Sequence, residues 1–168
     1  MKFYLLLVAI SLLSHTAYAS EQQFYLGGGV GAIVIDGEAL FGGEIGVSFY
    51  GGYEINSIYK LELAYHLFSK VEDEPATISP SMLSFSGLAF HPLSDQLSIF
   101  GRLGIAQWDA DINFSGIDLR TKSGTDITLG FGFEFRSSEN IRWRQEYQYF
   151  QFGNDTAHTL FVSVNYQF

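Results

Sequence analysis

The chain has 168 residues, enough for one domain, with no cysteine and a formal net charge of −9; a disulfide scaffold is excluded, and nucleic acid or an anionic surface is disfavoured as a partner. Aromatic residues make up 17 % of the chain and charged residues only 16 %, with 18 glycines. That balance is unusual for a water-soluble domain, yet beyond the N-terminal segment no apolar run nears the roughly 20 residues of a spanning helix.

Lys2 followed by the apolar stretch Phe3 to Leu13 and by Ala17-Tyr18-Ala19 has the charge, length and small-x-small ending of a signal peptide over residues 1–19. The domain is then 20–168. From there the period is two. Near Phe24 to Ile33 glycines blur it. Ile45, Val47, Phe49, Gly51 and Tyr53 alternate with Glu44, Gly46, Ser48, Tyr50 and Gly52, and Tyr59, Leu61, Leu63, Tyr65 and Leu67 with Lys60, Glu62, Ala64 and His66. Met82 to Phe90 carries apolar residues on both faces. Leu97, Ile99, Leu103 and Ile105 alternate with Ser98, Phe100, Arg102 and Ala106; Ile127, Leu129, Phe131, Phe133 and Phe135 alternate with Asp126, Thr128, Gly130, Gly132 and Glu134. In Ile141 to Phe152 the greasy set Ile141, Trp143, Tyr147 and Tyr149 is interrupted by Gln145. Leu160, Val162, Val164, Tyr166 and Phe168 close the series. A strand sends successive side chains to opposite faces, so each segment has one apolar and one small or polar face.

The connectors alternate as well. Ile55-Asn56-Ser57, Pro92 to Gln96 and Ser137 to Asn140 read as short turns, and Val34 to Phe41, Ser69 to Ser81 and Asp109 to Ser123 as longer, charged loops; the last connector, Gly153 to Ala157, is short. Phe24, Tyr53, Tyr59, Phe135, Trp143 and Phe168 lie on the greasy parity beside the short turns, where amphipathic rings suit a membrane boundary. A soluble sandwich also alternates, but its polar face is rich in charge throughout. Here that face mixes Gly, Ser, Ala and Thr with a few charges of both signs, which suits a narrow interior. Backbone in lipid has no water to bond, so such a sheet must close. The expected fold is all-β: an eight-stranded antiparallel up-and-down transmembrane β-barrel, in the outer membrane of a Gram-negative cell, with the longer loops outside. About eight strands leave an interior filled by side chains, which argues against a general porin.

Parity assigns Glu44, Lys60, Glu62, Arg102, Asp126, Glu134, Arg142, Arg144 and Glu146 to the interior, where isolated charges are costly and pairing is expected. No metal cluster or nucleotide fingerprint stands out: Gly27-Gly28-Gly29-Val30-Gly31 lacks the helix and acidic partner of a nucleotide site, so no cofactor is expected. Lipid-modifying chemistry would need a serine, a base and an acid in reach. His91 abuts Pro92 at a turn and His158 follows a loop; His66 could meet Ser69 or Glu72 but shares no local motif with a serine, and no enzyme is expected.

The ordered set of Leu61-Glu62-Leu63-Ala64-Tyr65, Pro92 to Gly104 followed by Trp108 and Ala110-Asp111, Arg144-Gln145-Glu146-Tyr147-Gln148-Tyr149 and Val162 to Phe168 resembles OmpA-type transmembrane barrels over most of the chain. The resemblance implies the transmembrane domain, without the periplasmic peptidoglycan-binding domain of full-length relatives. It also implies an interior salt-bridge gate at Glu62, Glu134 and Arg144, with Arg102 and Glu146 nearby. The family's gate also uses a lysine on the fourth strand, where this chain has Leu88. A fixed ionic plug is preferred to a switching gate. The partners expected are outer-membrane lipids, lipopolysaccharide and, through the strand ending at Phe168, the barrel-assembly machinery; a monomer is expected. An envelope or surface-interaction role comes first, a narrow low-conductance pore second and a lipid A-modifying enzyme third.

Overall fold

The computed structural model describes residues 23–35, 44–69, 71–73, 76–114, 117–152 and 155–168. The expected signal segment and the loop after Val34, from residue 36 onward, lie outside them. The described residues form strands β1 (Phe24–Ile35), β2 (Glu44–Glu54), β3 (Tyr59–Phe68), β4 (Val71–Asp73), β5 (Ala76–Pro92), β6 (Leu97–Phe114), β7 (Ile117–Arg136), β8 (Ile141–Phe152) and β9 (Asp155–Gln167). β4 is a three-residue arm paired only with β5. The other eight close a cylinder: β1 lies between β2 and β9, and β3 pairs with β5 to complete the circuit. Every pairing is antiparallel, so the barrel leaves no edge at membrane depth.

Alternation sets the faces. β3 exposes Tyr59, Leu61, Leu63, Tyr65 and Leu67 and buries Lys60, Glu62, Ala64, His66 and Phe68. An inside-out distribution results: large apolar side chains such as Phe131 at 61 % exposure cover the outside, while Arg144 at 1 % sits inside. In water that surface would be unstable; against hydrocarbon it is the favourable face. The girdle residues Phe24, Tyr59, Phe135, Trp143 and Phe168 are exposed as expected, and Tyr53 packs on Phe24 with ring centroids 5.0 Å apart.

The three short turns are held by side chains. Asn56 Oδ1 accepts from the amides of Ile58 and Tyr59 at 2.9 and 2.8 Å, and Ser94 and Ser138 hydroxyls accept from Leu97 and Ile141 amides at 3.1 Å. Both ends of the barrel chain, Phe24 and Phe168, meet at this turn end, where the Phe168 amide donates to Phe24 O.

At the opposite end two expected loops are corrected. Most of Ser69 to Ser81 and of Asp109 to Ser123 is ladder: β4 pairs with β5 from Val71↔Ile78, and β6 with β7 as far as Phe114↔Ile117, with a bulge at Ile112/Asn113. Among the residues of β6 and β7 whose side chains are described, the outward apolar ones end at the pair Ile105↔Ile127, and exposed Gln107 and Thr125 follow. The nine residues beyond Ile105, as far as Phe114, rise about 20 Å further at ordinary strand rise and tilt. This hairpin therefore stands clear of the greasy band. Polarity hid it, because a ladder in water needs no apolar face.

Candidate functional site: the filled lumen

Inward residues of single strands already spell the layering. From the turn end, β8 turns inward Arg142, Arg144, Glu146, Gln148 and Phe150, and β3 turns inward Lys60, Glu62, Ala64, His66 and Phe68. Both strands leave the short-turn end in the same direction, so charge lies level with charge and ring with ring.

The lower layer is one connected ionic network. Arg144 Nη1 donates to Glu62 Oε2 at 2.7 Å, and its Nη2 and Nε donate to Glu134 Oε2 at 2.9 and 3.3 Å. Arg102 Nη2 donates to Glu62 Oε1 at 2.5 Å and to Glu146 Oε2 at 3.0 Å, and its Nε donates to Glu146 Oε1. Lys60 Nζ bridges Glu134 at 3.0 Å and Glu54 at 2.5 Å, and Arg142 Nη1 lies 2.7 Å from Glu54 and 3.4 Å from Glu134. Four carboxylates thus face four cations, and the network is neutral. Charges this deeply buried persist only when paired, and each one here has an opposite charge in reach. Further support comes from Tyr25 Oη, which donates to Glu62 at 2.9 Å, and from the Arg144 guanidinium lying 5.1 Å from the rings of both Tyr50 and Phe100.

The five residues singled out from the sequence, Glu62, Arg102, Glu134, Arg144 and Glu146, all lie in this network. Lys60 and Arg142 join them. Asp126 faces inward higher up, where it accepts from Trp108 Nε1 at 2.7 Å; the side chain of Glu44 lies outside the described residues. Glu54 was missed because it abuts a turn. Continuing the alternation of β2 one step past Gly52 finds it. Leu88, where the family pattern has a lysine, stands directly opposite Lys60 in the β3–β5 ladder and packs with Phe90 and Phe100. The ammonium of Lys60 enters the lumen from the adjacent strand and lies 4.2 Å from the Phe90 ring.

Two tyrosines fit inside because glycines face them. Tyr50 is paired across the ladder with Gly27, and Tyr25 with Gly52. A Cβ on either glycine would overlap the facing tyrosine ring. The Tyr50 hydroxyl then reaches Ser163 Oγ at 2.9 Å across the lumen.

The upper layer was not expected. Ile33, Phe68, Met82, Ala106, Phe150, Ala157 and Phe161 form a buried apolar cluster inside the barrel, with Trp108 packed against it. His66 lies beneath, its ring 5.5 Å from those of both Phe150 and Phe161. Its Nε2 is 3.5 Å from Ser84 Oγ, so the histidine closest to a serine is enclosed at 1 % exposure. His66 does not meet Ser69, whose hydroxyl accepts from the Ile45 amide at 3.2 Å, and the side chain of Glu72 lies outside the described residues. His158 contacts the Tyr147 hydroxyl on the outer face, and His91 is exposed beside a turn. Among the described residues no group of His, Asp and Glu could hold a metal ion.

A closed barrel with a greasy exterior and a neutral ionic interior matches one family model, that of the outer membrane protein beta-barrel domain, over residues 5–168. The chain belongs to this outer-membrane β-barrel family. Relatives include outer membrane protein A of Escherichia coli O157:H7, 25 % identical over 121 residues covering 70 % of this chain and 35 % of the relative, and that of Klebsiella aerogenes, 24 % identical over 110 residues covering 63 % and 31 %. The chain thus spans about a third of the length of these relatives. Among solved structures, Neisserial surface protein A superposes with a TM-score of 0.76 at 13 % identity, covering 90 % of this chain and all of that one. The attachment invasion locus protein Ail of Yersinia pestis gives 0.63 at 18 %, covering 87 % and 97 %. At these identities the likeness concerns the fold.

Proposed function

We propose that this outer-membrane barrel is a non-conducting, non-catalytic scaffold that contributes to envelope integrity and holds the β4–β5 and β6–β7 hairpins at the cell surface for contact with partners. The observation that carries this reading is the double closure of the lumen. A neutral ionic layer fills one half and an apolar cluster the other, and an ion would have to disrupt both in series. The enclosure of His66 and Ser84 supports the non-catalytic part, since neither is open to lipid. The C-terminal strand ending at Phe168 suits the role of handle for the barrel-assembly machinery.

The narrow-pore alternative draws on four buried polar atoms, His66 Nδ1, Ser86 Oγ, Arg102 Nη1 and Thr128 Oγ1, which have no hydrogen-bond partner among the described residues. A file of water would satisfy them. Planar-bilayer recording separates the two readings. The wild-type chain is expected to show no steady conductance, and neither is Phe150→Ala, which opens only the apolar layer. Steady channels in the wild type, abolished by a change at Arg144, would overturn the scaffold reading.

A further inference from the structure

Gln145 is the third of the six side chains that β8 turns outward, after Ile141 and Trp143 and before Tyr147, Tyr149 and Gln151. Its ladder neighbours are Phe133 on β7 and Val162 on β9, both exposed to lipid. A primary amide therefore sits at the middle of the hydrocarbon band. It is exposed and makes no side-chain hydrogen bond to the described residues. Higher on the same face polarity is matched internally, because the Tyr147 hydroxyl and His158 Nδ1 bond each other.

An amide in hydrocarbon lacks both a donor and an acceptor partner and is costly to leave so. Lipids carry their polar groups at headgroup level and offer nothing at mid-depth. The complement must come from another polypeptide with a polar group at the same height. A second copy of this chain meets that condition by construction. A two-fold axis along the membrane normal, passing beside Gln145, brings each Oε1 to the partner's Nε2, so one residue satisfies itself twice.

We propose that the β7–β9 face centred on Gln145 is a self-association surface, through which two copies of the barrel pair in the membrane by reciprocal amide hydrogen bonds. Phe133, Trp143, Tyr147 and Val162 surround the amide and supply flat apolar contact. A monomer is the expectation from the sequence; barrel closure pairs every strand within one chain and leaves lateral pairing of two barrels open.

The chain has no cysteine, so Gln145→Cys introduces a single thiol at the axis. Purified protein in phospholipid vesicles, oxidised and run under non-reducing conditions, is expected to give a disulfide dimer. Leu63→Cys is also lipid-exposed but lies on β3, across the barrel from β8 by strand order, and is expected to stay monomeric. Energy transfer between labelled copies in the same vesicles is expected to report a dimer dissociation constant about tenfold higher for Gln145→Leu than for the wild type. Because the residue faces lipid, the variant should fold, which heat-shifted electrophoretic mobility checks. The proposal is overturned if Gln145→Cys cross-links no better than Leu63→Cys or if Gln145→Leu associates as the wild type does. Cross-linking of Gln145→Cys in native membranes to a different protein instead of itself overturns it too.

Discussion

Replacing Arg144 by methionine tests whether the ionic layer is a fixed structural element. Arg144 is 1 % exposed and donates three hydrogen bonds to two carboxylates, Glu62 and Glu134, at 2.7 to 3.3 Å. Methionine keeps much of the volume, so little cavity forms and the loss is chiefly electrostatic. Breaking a buried pair costs about 3–5 kcal/mol, because the remaining charge is stranded. Here the stranding is partial: Glu62 keeps Arg102 and Tyr25, and Glu134 keeps Lys60 and Arg142. The lower end, about 3 kcal/mol, is expected. Reversible urea unfolding in detergent micelles or thin bilayers reads it as a lower midpoint at unchanged slope. Adding Glu134→Gln restores neutrality, with three acids against three bases, and should recover about 1–2 kcal/mol of the loss as coupling between the two sites. A loss below about 1 kcal/mol for Arg144→Met, or a double variant whose loss is the sum of the two single losses, would refute the fixed-network account.

Two further outcomes follow from packing. Gly27→Ala pushes a methyl into the Tyr50 ring and is expected to destabilise by about 1–3 kcal/mol, whereas Gly87→Ala, on the lipid face with nothing within 4 Å of the added carbon, should stay within about 0.5 kcal/mol in the same unfolding assay; equal effects would contradict the assignment of faces. Of the two tryptophans, Trp143 is 50 % exposed on the outside and Trp108 bonds Asp126 inside, so brominated lipid should quench the emission of a Trp108→Phe variant strongly and that of Trp143→Phe little.

The lumen of this barrel is layered. Charge, with the rings of Tyr25, Tyr50, Phe90 and Phe100 among it, is gathered near the short turns, and the larger apolar cluster near the tall hairpins. β8 and β3 both rise from a short turn and carry the same order of inward residues from the turn end, charge first and phenylalanine last. Their shared direction thereby converts two one-dimensional patterns into a two-layer filling of the lumen.

Period-two alternation, together with the small and charge-poor makeup of its second face, determined the barrel, the lipid face and the inward position of Glu62, Arg102, Glu134, Arg144 and Glu146. In a strand the face of each side chain follows from its parity, and parity is written in the sequence. The height of the hairpins was not legible, since backbone ladders continue into water without an apolar signature. Nor was the set of partners. Lys60 meets Glu134 at a separation of 74 residues, and Arg144 meets Glu62 at 82. The apolar layer escaped for a related reason: Phe68, Phe150 and Phe161 each lie on the polar parity of their strands and look like isolated exceptions until closure brings them together. Contacts across the lumen depend on closure and stagger of the whole sheet, properties of eight strands at once, and only the tertiary structure decides them.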